Sequence, residues 1–116
     1  MKWTMQNSIA IGAGATNENI LAAERFARPV ADSIGDLYVT GSTLGLTAEL
    51  NVAGQSITPP TGVNAQNRFP VVPDDLLCQD FEAPVDKQIQ LRVVNTTGGA
   101  LTIYWRIDLE DAERVQ

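Results

Sequence analysis

The side chains of this chain that could carry acid–base or metal chemistry are almost all carboxylates. Asp74, Asp75, Asp80 and Glu82 lie close together in the sequence. Carboxylate oxygens bind calcium, and two facing carboxyl groups can hydrolyse a glycosidic bond. The spacing matches no EF-hand loop and favours no particular catalytic pair, so solvated loop acids are the simpler interpretation. We predict no catalytic residue, no metal site and no cofactor, and we rank a small glycosidase acting through Asp74 or Asp80 last.

Other chemically active residue types are scarce. The chain has no histidine and a single cysteine, Cys78. Ser-His-Asp and Cys-His nucleophiles are therefore impossible, as are imidazole and multi-cysteine metal sites. The pattern Gly12-Ala13-Gly14 lacks the rest of a phosphate-binding loop and indicates a turn. We expect Cys78 to be a small buried apolar residue in a reducing compartment.

One short motif points to a modification. Asn95-Thr96-Thr97 matches the acceptor motif for N-glycosylation. The motif falls where a turn between two strands is expected, and we find no secretion signal in the sequence. We do not expect glycosylation.

Length and charge limit the classes of partner. A chain of 116 residues fits one domain that can fold without disulfides or metal. Its 8 basic and 14 acidic residues give a net charge of −6, which argues against a nucleic-acid backbone or an anionic membrane as partner. No apolar run approaches the roughly 18 residues of a membrane span. We expect a soluble, untargeted protein.

Strict alternation of apolar and polar residues predicts the strands that position these groups. It is clearest over residues 88–93 and 101–110, which flank a turn and predict a long final β-hairpin. A second hairpin is predicted from residues 34–39 and 46–52. The apolar faces of these strands form the predicted core: Leu46, Leu50, Ile89, Leu91, Val93, Leu101, Ile103, Trp105 and Ile107.

The remaining segments are less regular. Residues 1–8 are predicted to be an N-terminal arm, followed by a single β-sandwich domain over residues 9–116. Residues 17–28 fit a strand or a helix, and we favour a strand. Residues 53–75 are rich in Pro, Gly and Asn, which predicts a long loop and a first candidate contact surface. The acidic residues at the C-terminus, Asp108, Glu110, Asp111 and Glu113, are expected to form a frayed tail.

Short strands separated by turns predict an all-β fold, an antiparallel β-sandwich. Trp105 shares the apolar face of its strand and is expected in the core. Tyr104, on the opposite face, fits sugar stacking, a subunit contact or simple exposure. Trp3 is expected to dock on its own sheet or on a neighbouring subunit.

Residues 9–110 have short strands, a middle loop rich in breakers and a predicted final hairpin that ends in residues 101–110. This pattern resembles the small jelly-roll decoration or cement proteins of tailed bacteriophages. The resemblance implies a jelly-roll sandwich that forms a homotrimer, is made in the host cytoplasm, binds the major capsid protein outside the phage head and stabilises the virion by bridging capsomers. It implies no enzyme, no nucleic acid and no membrane. The candidate capsid or subunit contacts are Trp3, Arg25, Arg28, Arg68, Phe69 and Tyr104.

A carbohydrate-binding module is the alternative. Many β-sandwiches present Tyr or Trp on an exposed face and need no catalytic group. Tyr104 would be the residue to serve that purpose here.

Overall fold

The protein is an all-β antiparallel sandwich, as predicted. The computed structural model describes residues 2–22, 24, 27–72 and 74–111. Its strands are β1 (Lys2–Ile11), β2 (Thr16–Asn17), β3 (Ser33–Gly41), β4 (Leu46–Val52), β5 (Gln55–Ser56), β6 (Thr61–Gly62), β7 (Leu76–Ala83), β8 (Ile89–Asn95) and β9 (Leu101–Asp111). Within this part of the chain, no helix has the length and apolarity needed to cross a membrane.

Two sheets enclose the core. One is four-stranded in the order β1-β9-β3-β7, and the other is five-stranded in the order β2-β8-β4-β5, with β6 also paired to β4. Alternate residues of β4, β8 and β9 are buried, as the period of two requires. The predicted core is confirmed, because eight of its nine residues are buried and Leu101 packs half-buried against them.

The predicted hairpins are wrong, although their strands are correct. β8 and β9 follow each other in sequence, yet β8 pairs with β2 and β4 while β9 pairs with β1 and β3. In the same way, β3 and β4 lie in different sheets. Each connection carries the chain across the core from one sheet to the other. Alternation indicates which face of a strand is buried and leaves the choice of neighbouring strand open.

The strand pairs are nested. β1 pairs with β9, β2 with β8, β3 with β7, and β4 with β6. This is the pairing of one long antiparallel ribbon folded near β5. Rolling that ribbon brings β9 beside β3 and β8 beside β4, which completes the two sheets.

The predicted N-terminal arm is wrong for residues 2–8, which belong to β1. β1 pairs with β9 over ten consecutive residues, from Lys2 opposite Glu110 to Ile11 opposite Leu101. The polar residues at positions 6 to 8 conceal the alternation that buries Met5 and Ile11. The partner strand extends to Asp111, so the expected acidic tail is ordered strand as far as that residue. Glu113 lies outside the described residues.

The strand that we favoured over residues 17–28 is not found in the part of this segment that the structure describes. Among those the structure describes, only Asn17 is in a strand, and turns follow it. The Asn17 side chain accepts the Asn19 N–H at 3.1 Å, and the Asn19 side chain accepts the Leu21 N–H at 3.0 Å. Such local bonds compete with a regular ladder. They leave Leu21 fully buried in the core.

Candidate functional site

The outer face of the four-stranded sheet is covered over one half. Tyr38 and Thr40 alternate outward on β3, yet both are buried. The described residues between β6 and β7, which are 63–72, 74 and 75, cross the sheet here, and the Thr40 hydroxyl donates to the carbonyl of Arg68. We call this segment loop 63–75. It lies within the region predicted as a contact surface.

Backbone hydrogen bonds attach loop 63–75 to β3. The Gly41 N–H donates to the Asn64 carbonyl at 2.8 Å, and the Asn67 N–H donates to the Gly41 carbonyl at 2.9 Å. At the other end of the loop, the Val39 N–H donates to the Asp75 carbonyl at 3.2 Å. The loop is therefore an ordered part of the sandwich.

A buried carboxylate shapes the middle of the loop. Asp75 is 3 % exposed at its side chain, and one of its oxygens lies 3.2 Å from the Arg68 guanidinium. The same oxygen accepts the Val71 N–H at 2.8 Å. A buried charge is tolerated when it is paired and hydrogen-bonded, and both conditions hold here. Asp75 is thus a structural residue, although the sequence suggested a solvated acid.

Two of the three aromatic residues predicted as contacts meet at this loop. The Phe69 and Tyr104 rings are 5.2 Å apart between centroids and 70° apart in plane, an edge-to-face contact. The Tyr104 hydroxyl donates to the Asn67 side chain at 3.4 Å. Tyr104, the residue considered for sugar stacking, therefore stabilises the loop through a ring contact and a hydrogen bond.

Loop 63–75 and the start of β7 present apolar side chains to solvent. We call Phe69, Val71, Val72 and Leu76 the apolar rim; they are 44 %, 42 %, 43 % and 38 % exposed. Each is held by a segment that is bonded to the sheet or to Asp75. Exposed apolar groups on an ordered frame are typical of protein-binding surfaces, because contact releases water without ordering the chain.

The structure brings together three of the six predicted contact residues: Arg68, Phe69 and Tyr104. Trp3 lies in β1 and packs half-buried against the core of its own sandwich. Arg28 donates to the Asp86 carbonyl at 3.1 Å, beyond the far end of β7. Arg25 lies outside the described residues.

Sequence reasoning missed part of the rim. Val71 and Val72 stand as an apolar pair between prolines, in a loop otherwise rich in polar residues. An apolar pair in such a loop must be either buried or available to a partner, and this signal could have found them. No comparable signal marks Leu76.

The uncovered half of the outer face is acidic. A shallow depression of about 330 Å³ lies there, lined in part by Asp36, Asp80 and Asp108 together with Arg106. The Arg106 Nε lies 2.9 Å from the Asp108 carboxylate, and Asp36 accepts the Asp80 N–H at 2.9 Å. Among the residues that the structure describes, no group of three or more Asp, Glu, Cys or His could hold a metal ion.

The glycosylation motif has a structural role. Asn95 is fully buried, and its amide nitrogen donates to the carbonyls of Ile11, Gly12 and Gly99 at 3.0, 3.2 and 2.8 Å. Its amide oxygen accepts the Thr97 N–H at 2.9 Å. Asn95 thus joins the β1–β2 turn to the β8–β9 turn, and no glycan can be attached to it in the folded protein.

Comparison with known proteins leaves the family open. No family model matches the chain, and no curated protein matches it in sequence.

Proposed function

We propose that this chain is a structural virion protein that binds the outside of a tailed-phage capsid and stabilises the shell by bridging capsomers. The apolar rim is the surface that contacts the major capsid protein. In this proposal the copies form homotrimers, as the resemblance implies. The observation that carries the proposal is the apolar rim, held in place on a sandwich of nested strand pairs.

The strand order supports a jelly-roll assignment. A jelly roll is a two-sheet antiparallel sandwich of about eight strands, a fold found in viral capsid and lectin domains. The nested pairs of this protein, with the first strand beside the last in one sheet, are what a rolled ribbon produces. The link from this fold to a phage shell is an analogy with the proteins that the sequence resembles.

The chemistry of the rim supports a protein as the partner. Its four side chains are apolar. On the loop, Arg68 and Asp75 pair with each other, and Asp74 is the exposed carboxylate beside the rim. The rim itself therefore offers chiefly desolvation and shape complementarity. Each contact would be modest, and repetition over a symmetric shell would multiply modest contacts into avidity.

Binding to heads tests the proposal. Heads assembled from the major capsid protein of the genome that encodes this chain are mixed with the purified protein and sedimented. Val72→Asp, which puts a charge into the rim, should reduce the bound fraction at least about tenfold, a change of about 1.4 kcal/mol. Val30→Asp is the matched control, because Val30 is an exposed valine, at 64 %, outside the rim.

Two results would contradict the proposal. One is saturable binding that Val72→Asp and Val30→Asp leave equally strong, which would remove the rim from the contact. The other is the absence of any binding to heads. In that case a glycan array measures the alternative, carbohydrate binding, directly.

A further inference from the structure

The edges of the two sheets are protected unequally. The edges of the five-stranded sheet consist of β2 on one side and of β5 and β6 on the other, each two residues long. Edge strands this short offer few unpaired backbone groups to another chain. The longer edges belong to the four-stranded sheet, and they are β1 and β7.

Irregular pairing and charged side chains protect the β7 edge from pairing with another chain. Its register with β3 shifts twice, between the partners of Gly35 and Leu37 and between those of Leu37 and Tyr38. Asp80 takes a positive φ of 54° at the first shift. Asp80 and Glu82 also place exposed carboxylates on the strand. Bulges and charges are the devices by which proteins prevent pairing at an edge.

β1 has little of this protection. It follows β9 without a shift for ten residues, contains no proline, and carries one charged residue, Lys2, at its start. Among the described residues no strand lies on its other side. It is a long, regular edge of low charge on a protein whose net charge is −6.

The backbone groups that face this open edge can be assigned. The Ser8 N–H donates to the side chain of Asn7 at 2.8 Å and so does not point at β9. In an antiparallel pair, alternate residues direct both backbone groups to the same side. Thr4, Gln6 and Ala10 therefore also direct their N–H and C=O groups to the open edge.

We propose that β1 pairs with β1 of a second copy, antiparallel, about a two-fold axis through Asn7. In this register Gln6 lies opposite Ser8 and Thr4 opposite Ala10, and these are the residues whose backbone groups face outward. On pairing, the Ser8 N–H exchanges its hydrogen bond to the Asn7 side chain for one to the second copy. On the side facing the core, Met5 lies opposite Ile9. The pairing joins two four-stranded sheets into one continuous sheet of eight strands, counted from the order of each copy.

The strand itself indicates that a second copy is the occupant. About this axis apolar residues meet apolar ones, and uncharged polar residues meet uncharged polar or small apolar ones, so no unfavourable cross-strand pair arises. Ile9, 37 % exposed in one copy, gains a neighbour. A partner that binds through charge would have a single charged side chain of this strand, Lys2, to contact. Each copy has a net charge of −6, but the two copies would meet along β1, a strand that carries no acidic side chain.

This inference goes beyond the proposed function and does not depend on it. A two-fold contact through β1 leaves loop 63–75 available to the capsid. It would link copies in pairs, whether or not a separate three-fold contact builds trimers. The two surfaces can therefore be tested separately.

Light scattering coupled to size exclusion gives the first result. The intact protein should elute with an even number of copies, as a dimer or as a hexamer. Asn7→Lys and Asn7→Asp each place two like charges directly opposite across the axis, so each variant alone should lose about half of the wild-type mass or more. Mixing the two variants should restore the wild-type mass, because the facing charges are then opposite.

Gln6→Pro is the second variant, since proline removes an N–H that faces the open edge and is tolerated on edge strands. It should also abolish the even-numbered species, with an unchanged far-UV circular dichroism spectrum. A wild-type protein that is monomeric or only trimeric overturns the proposal. So does an even-numbered species that survives all three substitutions, or a mixture of the Asn7 variants that does not regain the wild-type mass.

Discussion

Asp75 and Val71 are joined by two hydrogen bonds, one in each direction. The Val71 N–H donates to the Asp75 carboxylate at 2.8 Å, and the Asp75 N–H donates to the Val71 carbonyl at 3.0 Å. The carboxylate also pairs with Arg68. The conformation that exposes the apolar rim thus depends on one buried acidic side chain.

Asp75→Ala should lower the free energy of unfolding by about 2 kcal/mol, because it leaves the Val71 N–H and the Arg68 guanidinium without their acceptor. Asp75→Asn keeps an acceptor oxygen and should cost about half as much. Urea denaturation followed by tryptophan fluorescence measures both. Asp74→Ala is the control, since the neighbouring Asp74 is exposed. Equal stability of the wild type and Asp75→Ala would show that the buried carboxylate does not hold the loop.

Asn95→Asp should destabilise the fold by about 3 kcal/mol, since a carboxylate would face the three carbonyls that the amide now satisfies. Asn64→Asp serves as the matched control, because Asn64 is exposed. Thermal unfolding measures the difference. A change of melting temperature that is the same for both variants would contradict the role of Asn95 in joining the two turns.

Gly35→Ala should cost about 2 kcal/mol by overpacking. A Cβ at this position would lie 2.6 Å from Phe81 Cζ and 2.8 Å from Leu109 Cδ2. Gly62→Ala, with nothing within 4 Å of the added carbon, should change stability little. In the Gly35→Ala background, Phe81→Leu should be less destabilising than it is alone, and strictly additive effects in chemical denaturation would contradict a direct clash.

The thiol of Cys78 should ionise at a higher pH than an ordinary thiol. Burial, and after it the Asp36 carboxylate, raise the pKa of Cys78 above 9.0. As pH rises through 9, the unfolded chain loses its thiol proton first, so the stability that the protonated thiol provides is complete below pH 9 and is lost as pH rises through the folded pKa. The pH dependence of alkylation by iodoacetamide measures the folded pKa, and denatured protein supplies the reference.

Asp36→Asn should shift that alkylation midpoint downward, by less than unfolding does, because the carboxylate is the smaller cause. The pKa of Tyr38 is also raised, first by burial and then by Asp36, and adds loss of stability at still higher pH. Cys78→Ala separates the two groups. A midpoint equal to that of denatured protein would contradict the effect of burial.

The strands β3, β4, β8 and β9 could be predicted from sequence because alternation is a local property. Leu91, Ile103 and Trp105 are buried as their positions require. Pairing could not be predicted in this way. The turn at residues 96–100 carries the chain across the core, and a turn of that length can equally join two strands of one sheet. Which of the two occurs depends on how distant strands fill the neighbouring positions.

The candidate site could also be predicted from sequence only in its local features. Proline and glycine mark residues 53–75 as a loop, and Phe69 and Arg68 stand out within it. Nothing local distinguishes Asp75 from Asp74, because the burial of one carboxylate follows from where Arg68 and Val71 are placed by the folded loop. The part of β1 that was assigned to the N-terminal arm, residues 2–8, was missed because polar residues at positions 6 to 8 conceal its alternation.

The nested pairing of the strands also determines when each sheet can form during synthesis of the chain. β9 lies between β1 and β3, so the four-stranded sheet cannot form until the ribosome has released residues 101–111. β1 leaves the ribosome before the other strands of the sandwich and has neither edge occupied until then. Contacts between residues so distant in sequence make folding slow, because the entropy of closing the longest loops is lost before the stabilising contacts form. The nascent chain therefore exposes its regular first strand longest, and a chaperone that binds extended segments would find it there.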